Sequence, residues 1–396
     1  MPQSPSPPRV LIVADNASAQ FGGEAILPLK YFTLLARRGR DVRLITHARN
    51  RDALRALVPD LAGRISYSPD TWLHRALWRI GARFPGPIRD HLFGNLMGLV
   101  TGWQQRRMAR DMVRVGLADV VHQPIPVSPA APSLLFGLGA PVIIGPMNGG
   151  MSYPPGYEDF ESRAALLLVA NERTRRALPV NGRPVVDLVE NGVDFTLWPD
   201  PGPKAPRSGP LRLVFMGRLV PLKAVDVTLH ALARVLAEHG AGAATLDILG
   251  DGPERPALES LTDALGLRSS VRFHGFLPQS VCAGHLAQAD ALILASLHEC
   301  GGAVVLEAMA MGLAVIASDW GGPAEYLDET CGIRVAPAPR DGFADRLAAA
   351  IARLAADPAL TMAMGTAGAV RARAGYDWEH KIEVIETLYL KALRAD

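Results

Sequence analysis

Cysteine is nearly absent: Cys282, Cys300 and Cys331 are the three thiols in 396 residues. They show neither metal-ligand spacing nor the even count of a disulfide framework. A stapled secreted domain and a cysteine-held metal site are therefore excluded, and a reducing cytoplasm is expected. A strong charge of one sign is missing as well, the formal net charge being +2. That argues against an electrostatic nucleic-acid binder and leaves room only for local basic patches. Long apolar runs are lacking too. The nearest approach to a membrane span, residues 303–318, is divided by Glu307 and Gly312 and reads better as a helix followed by a buried strand. The opening Met-Pro-Gln-Ser-Pro-Ser-Pro-Pro reads as a short disordered lead, and the apolar run after Arg9 is too brief for a signal peptide. The first strand runs into Asp15-Asn16-Ala17-Ser18, without the close Gly-x-Gly-x-x-Gly turn of a dinucleotide-dependent dehydrogenase. No Asp-x-Asp pair falls at a strand end, and no residue is assigned to a metal.

What the chain does have is strand, loop and helix in repeated alternation, over a length sufficient for two domains with sizeable cores. Val10–Ala14, Asp41–Thr46, Val120–Gln123, Pro141–Gly145, Leu166–Ala170 and Val185–Val189 read as strands of a first half, with helices between them. The Pro/Gly-rich run 199–210 reads as a linker. Leu211–Met216, Thr245–Leu249, Val271–His274, Ala291–Ala295 and Leu313–Ala317 then form a second set. The pattern predicts an α/β protein: a lead over 1–8, one Rossmann-like domain over 9–198, a second over 211–375, and a closing helical segment over 376–396.

The stretch 290–326 organises the rest. It reads strand, polar Gly-rich loop, helix ended by Gly312, second strand, second loop at Asp319-Trp320-Gly321-Gly322-Pro323. In open parallel sheets, ligands bind outside the carboxyl ends of strands, where these loops lie. Glu299 sits in the first loop and Glu307 eight positions on, inside a helix that is apolar all round. A carboxylate shielded in that way needs donors or a cation. A structural partner meets that need, and so do the paired hydroxyls of a ligand. Gly301 and Gly302 at the helix start favour a ligand, since free N–H groups and the helix dipole attract anions and glycine lets a phosphate approach.

Elsewhere each candidate carries two readings. Gly22-Gly23, between the first strand and the first helix, serves a turn or admits a phosphate or sugar. Arg218 and Lys223, on the loop after Met216, are solvated cations or a diphosphate clamp, Arg as a bidentate fork and Lys as a point charge. His122, at the end of a strand, is a structural histidine or a site residue. Residues 71–114 interleave Trp72, Trp78, Phe84, Phe93 and Trp103 with eight arginines, opposed only by Asp90 and Asp111. That is an amphipathic helix pair with a solvated basic face, or a surface that lies on an anionic membrane.

Glu299 and Glu307, the small residues between them, and Ala308-Met309-Ala310 after them resemble the signature of family-four retaining glycosyltransferases. The likeness runs from Val10 to the end and is strongest over 211–326. It implies the GT-B architecture, two Rossmann-like domains whose parallel sheets face a central cleft, with a C-terminal helix crossing back to the N-terminal domain. The first domain would bind the acceptor and the second a UDP-, GDP- or ADP-sugar, with no separate cofactor and no metal. Residue by residue, the resemblance implies that Arg218 and Lys223 hold the diphosphate and that Glu299 holds sugar hydroxyls, flanked by Cys300, Gly301, Gly302 and Ala303. It further implies that Glu307 holds the ribose, that backbone at Gly275-Phe276 meets the nucleobase, that Gly22-Gly23 faces the donor and that His122 lies beside the transferred sugar. The expected function is retaining transfer of a sugar to an acceptor hydroxyl in polysaccharide, glycolipid or other glycoconjugate synthesis, on a glycan or lipid-linked acceptor. The enzyme would be cytoplasmic, peripheral on the inner membrane face through 71–114, and without a nucleic-acid partner. A sugar-nucleotide epimerase or hydrolase of the same fold, or a non-catalytic sugar-nucleotide binder, is the alternative; a phosphorylase lacks a convincing pyridoxal-phosphate lysine. One departure is the short connection Tyr157–Ala165, where relatives carry a longer helical segment.

Overall fold

The computed structural model describes residues 7–18, 23–84, 86, 89–126, 133–147, 164–170, 172–177, 185–187, 191–202, 207–299 and 301–395. The chain divides into two compact units, 1–190 with 379–396, and 191–378.

The first unit holds β1 (Val10–Val13), α1 (Gly23–Arg37), β2 (Val42–His47), α2 (Arg51–Leu57), β3 (Ile65–Ser68), α3 (Trp72–Gly81), α4 (Gly94–Arg114), β4 (Val120–Gln123), β5 (Val142–Met147), β6 (Leu166–Val169), α5 (Glu172–Ala177) and β7 (Val185–Asp187). Its strands make one parallel sheet in the order β3-β2-β1-β4-β5-β6-β7. β1 and β6 are runs of Val, Ile and Leu buried at every position. That is the composition a sheet covered on both faces requires. Gly39 ends α1 with a φ of 71°, a conformation that costs glycine nothing.

The second unit holds β8 (Leu211–Met216), α6 (Val225–His239), β9 (Ala244–Leu249), α7 (Arg255–Ala264), β10 (Val271–Gly275), α8 (Gln279–Gln288), β11 (Ala291–Leu294), α9 (Ala303–Ala310), β12 (Ala314–Ser318), α10 (Gly322–Tyr326), β13 (Gly332–Val335), α11 (Phe343–Ala356) and α12 (Pro358–Gly375). Its parallel sheet runs β10-β9-β8-β11-β12-β13. The order reverses between β8 and β11, and in open parallel sheets the carboxyl ends of strands at such a reversal are where ligands bind.

The chain enters the second unit at Asn191, ahead of the expected boundary at 198/199. The cause is local packing: Val193 and Trp198 are buried in that unit's core, and the Val193 amide donates to the Tyr376 carbonyl at 2.7 Å. A last helix, α13 (Trp378–Ala395), belongs from Glu379 onward to the first unit. Arg38 reaches Glu379 and Glu383, Arg40 reaches Glu386, and Ile382, Ile385 and Tyr389 are buried. No single helix among the described residues is long and apolar enough to cross a membrane.

Candidate active site

The reversal between β8 and β11 gathers chemistry. The loop after β8 carries Arg218, exposed, and ends in a short 3-10 turn at Pro221–Lys223. The loop after β11 carries Ser296 and Glu299. A backbone bond from the Leu297 amide to the Leu222 carbonyl, 2.8 Å, ties the two loops side by side. Lys223 Nζ consequently donates to Glu299 Oε2, and Ser296 Oγ donates to the same oxygen at 3.2 Å. Both charged side chains are largely shielded, 13 % and 14 % exposed, so each needs the other when no ligand is bound.

Glycines that the sequence marks only as turns hold these loops by close backbone approach. A Cβ on Gly250 would sit 1.8 Å from the Gly217 carbonyl oxygen, and one on Gly252 would sit 2.3 Å from that of Leu219. The turn after β9 is therefore pressed against the loop that bears Arg218, and the Leu219 amide donates to the Asp251 carbonyl at 2.9 Å. Gly321, with a φ of 72°, does the same for the other loop: its Cβ would meet the Glu299 carbonyl oxygen at 2.3 Å. The linear chain does not mark these positions as site residues, because a glycine's neighbour across a sheet edge is invisible in it. Gly275, φ 75°, ends β10, its carbonyl accepts from the Gly250 amide at 2.8 Å, and Phe276 beside it is 72 % exposed.

Helix α9 starts at Ala303 behind Gly302, which adopts a φ of 55° and has no side chain to cap the helix. A Cβ there would meet Pro323 Cγ at 2.7 Å. The helix dipole and the first-turn N–H groups thus lie next to Glu299 and Lys223, as an anion-binding helix start should. Cys300 lies outside the described residues. Glu307 is partly buried on α9. Val305, Leu306, Ala308, Met309 and Ala310 take up the buried face, which turns Glu307 toward the more open side. Its charge, after burial itself, helps to push the Cys282 thiol up. Among the described residues no three His, Cys, Asp or Glu side chains come together as metal donors.

In the first unit, Gly22 and the connection over 148–163 lie outside the described residues, and Gly23 is the first residue of α1. His122, expected beside a transferred sugar, has both ring nitrogens engaged within the first unit. It lies on β4 opposite Ile12 of β1 and is fully buried. Nδ1 pairs with the Tyr389 hydroxyl at 2.7 Å and Nε2 with the Gly145 carbonyl at 2.8 Å. Because a carbonyl only accepts, Nε2 carries the proton and Nδ1 accepts from the tyrosine. Burial drives the imidazole's pKa down to about 4. With both nitrogens engaged, the ring joins β4, β5 and α13.

Comparison with known proteins agrees with this geometry. The family of glycosyl transferases group 1 matches residues 210–357, the whole switch-point region. Glycogen synthase of Mycobacterium tuberculosis is 31% identical over 212 residues, 53% of this chain and 50% of that protein. The chain spans about half the length of the curated relatives it matches. A glycosyltransferase from Rickettsia africae has the same fold, with a TM-score of 0.73 at 15% identity over 97% of this chain and 98% of that one. The Anabaena protein HepE, solved in complex with UDP and glucose, superposes with a TM-score of 0.66 at 17% identity over 96% and 99% of the two chains. The chain has the two-domain GT-B fold, and its residues 210–357 match the family of group 1 glycosyl transferases.

Proposed function

We propose that the protein transfers a sugar from a nucleoside-diphosphate sugar to an acceptor hydroxyl, with retention at the transferred carbon and without a metal. One observation carries this reading: Lys223, Glu299, Arg218 and the uncapped start of α9 converge where the sheet order reverses, inside the segment that matches the family. Arg218, Lys223 and the α9 amides would stabilise charge growing on the leaving diphosphate, and fixed dipoles and cations of this kind supply most of the rate gain in many enzymes. Two cations and a helix dipole supply there what a divalent ion supplies elsewhere. In the free protein Lys223 neutralises Glu299. A bound diphosphate would draw Lys223 to itself and release the Glu299 carboxylate to accept sugar hydroxyls. Glu307 would take the ribose, and exposed Phe276 would border the base. UDP is the first nucleotide to try, since it is the one in the HepE complex.

The reading extends to place. Trp72, Leu92 and Trp103 are 72 %, 55 % and 58 % exposed on the α3–α4 segment, which also carries the arginine excess. Aromatic and aliphatic side chains that enter the headgroup layer, flanked by cations, fit a cytoplasmic enzyme that works at an anionic membrane. The transfer reading is tested by incubation with a UDP-sugar and lipid-linked or soluble glycans: UDP release that depends on the acceptor supports it. UDP release with free sugar or an epimer, and no acceptor dependence, refutes it in favour of a hydrolase or epimerase.

A further inference from the structure

The first unit contains a cavity of about 550 Å³ between β1, β2, α3 and α4, within the size range of small-ligand sites. Its floor carries two carboxylates: Asp15 accepts from Arg49 through Oδ2 while its Oδ1 is buried without a hydrogen-bond partner among the described residues, and Asp70 faces His47. His47 Nδ1 accepts from the Arg49 amide at 3.2 Å, and His74 Nδ1 accepts from the Thr71 amide at 3.1 Å. Each ring is thereby protonated at Nε2, where His47 faces Asp70 Oδ1 at 3.3 Å and His74 meets Thr101 Oγ1 at 3.0 Å. Arg49 is already committed to Asp15 and Asn16.

The cations that remain are Arg75 and Arg79, both exposed, both lining the cavity, and in no ion pair among the described residues. They stand one turn apart on α3, and Arg83 follows at the next turn position. Like charges at that spacing weaken a helix, so the arrangement is unfavourable until an anion joins it. Trp78, 65 % exposed, stands beside them on the cavity wall and offers a flat apolar face. Opposite, α4 presents Gly94 and Gly98, and a Cβ added at either would meet nothing within 4 Å. The wall is thus open backbone, with room for a flat ring beside it.

We infer that this cavity binds the acceptor's sugar head and that the head carries a phosphate, gripped by Arg75 and Arg79 while its ring lies against Trp78 and its hydroxyls meet the His47–Asp70 side. The ligand's role as acceptor rests on the transfer reading, whereas the binding site stands without it. The phosphate source is a soluble sugar phosphate or a lipid-linked one.

The test is calorimetric titration of the full chain with glucose 1-phosphate, glucose and inorganic phosphate, repeated with vesicles containing anionic lipid. Two perturbations are used. The Arg75→Ala/Arg79→Ala pair removes the grip, and Gly98→Leu plugs the cavity at a helical position that accepts a side chain without strain. An Arg107→Ala/Arg114→Ala pair makes the same charge change on exposed positions of α4 outside the cavity. The expected result is that glucose 1-phosphate binds more tightly than either fragment, weakens at least tenfold in both cavity variants and holds within about twofold in the control. Vesicle binding that Gly98→Leu also weakens assigns the phosphate to a lipid-linked head, and vesicle binding that it leaves intact assigns it to a soluble one. Glucose 1-phosphate no tighter than glucose, or an equal loss in the control pair, overturns the inference. UDP-induced stabilisation, measured on the same proteins, separates the readings. A UDP shift without sugar-phosphate binding removes only the cavity, and binding without a UDP shift removes only the transferase.

Discussion

Replacing His122 by phenylalanine separates a histidine that builds the fold from one that acts on a sugar. Phenylalanine keeps a flat ring in the space between Tyr31 and Tyr389 but offers no nitrogen to the Tyr389 hydroxyl or the Gly145 carbonyl. Each buried polar group left unpaired costs about 1–3 kcal/mol, so the variant should lose about 2–6 kcal/mol near pH 7. The loss should also depend on pH. In the folded protein the ring titrates at about 4, against 6.5 when free, because burial disfavours its charged form. Between these values the unfolded chain binds the proton and the folded one does not, so stability falls as pH drops from 6.5 toward 4. A difference of about 2.5 units at 1.36 kcal/mol each gives about 3 kcal/mol. Urea denaturation of both proteins at pH 7, 6, 5 and 4.5 should show the gap between them narrowing with acid, since only the wild type carries this linkage. A constant gap would contradict the structural role. So would a variant as stable as wild type at pH 7 whose sugar transfer has collapsed, because that ring would be free to meet substrate.

Other consequences follow from the switch-point loops. Gly250→Ala drives a methyl into the Gly217 carbonyl, so the variant should lose more than about 4 kcal/mol or fold with the Arg218 loop displaced; thermal melts together with UDP titration tell these apart. Glu299→Gln should keep UDP affinity within about threefold, because the glutamate is assigned to the sugar, while kcat falls by at least tenfold; steady-state kinetics reads both. Saturating EDTA should leave turnover unchanged, and loss restored by a single divalent metal would refute metal independence. Co-sedimentation with anionic vesicles should weaken several-fold between about 0.05 and 0.5 M salt, as screened surface attraction does, and neutral vesicles should bind less at every salt concentration.

In the second unit β8, β9 and β11 are short apolar runs, each followed by a glycine-bearing turn or loop, and that punctuation places Arg218, Lys223 and Glu299 at strand ends. β13, with Arg334 in its four residues and Ala-Pro-Ala-Pro after it, does not stand out in the sequence. Contact between Lys223 and Glu299 is not legible, since 76 residues separate them and only the β8–β11 adjacency, itself a matter of strand order, brings them together. The glycine pairs tell the same story in reverse. Gly301-Gly302 stands out as a helix start, whereas Gly250, Gly252 and Gly321 reveal their purpose only through the carbonyls they touch. His122 shows the limit most sharply: its partners, Gly145 and Tyr389, lie 23 and 267 residues away. The early entry into the second unit at Asn191 escapes a linear reading because the Pro/Gly-rich run after Trp198 is a louder signal than one buried tryptophan.

The proposed function places a nucleoside diphosphate between the loops after β8 and β11, held by Arg218 and Lys223. Thermal unfolding with UDP, GDP or ADP, on wild type and on Arg218→Ala, tests it directly. At a hundredfold excess over Kd a ligand adds about 2.7 kcal/mol to the native state, which raises Tm by about 5–10 °C for a unit of this size. The expected result is such a rise with one of the three nucleotides and most of it lost in Arg218→Ala. No rise with any nucleotide, or an undiminished rise in the variant, would contradict it.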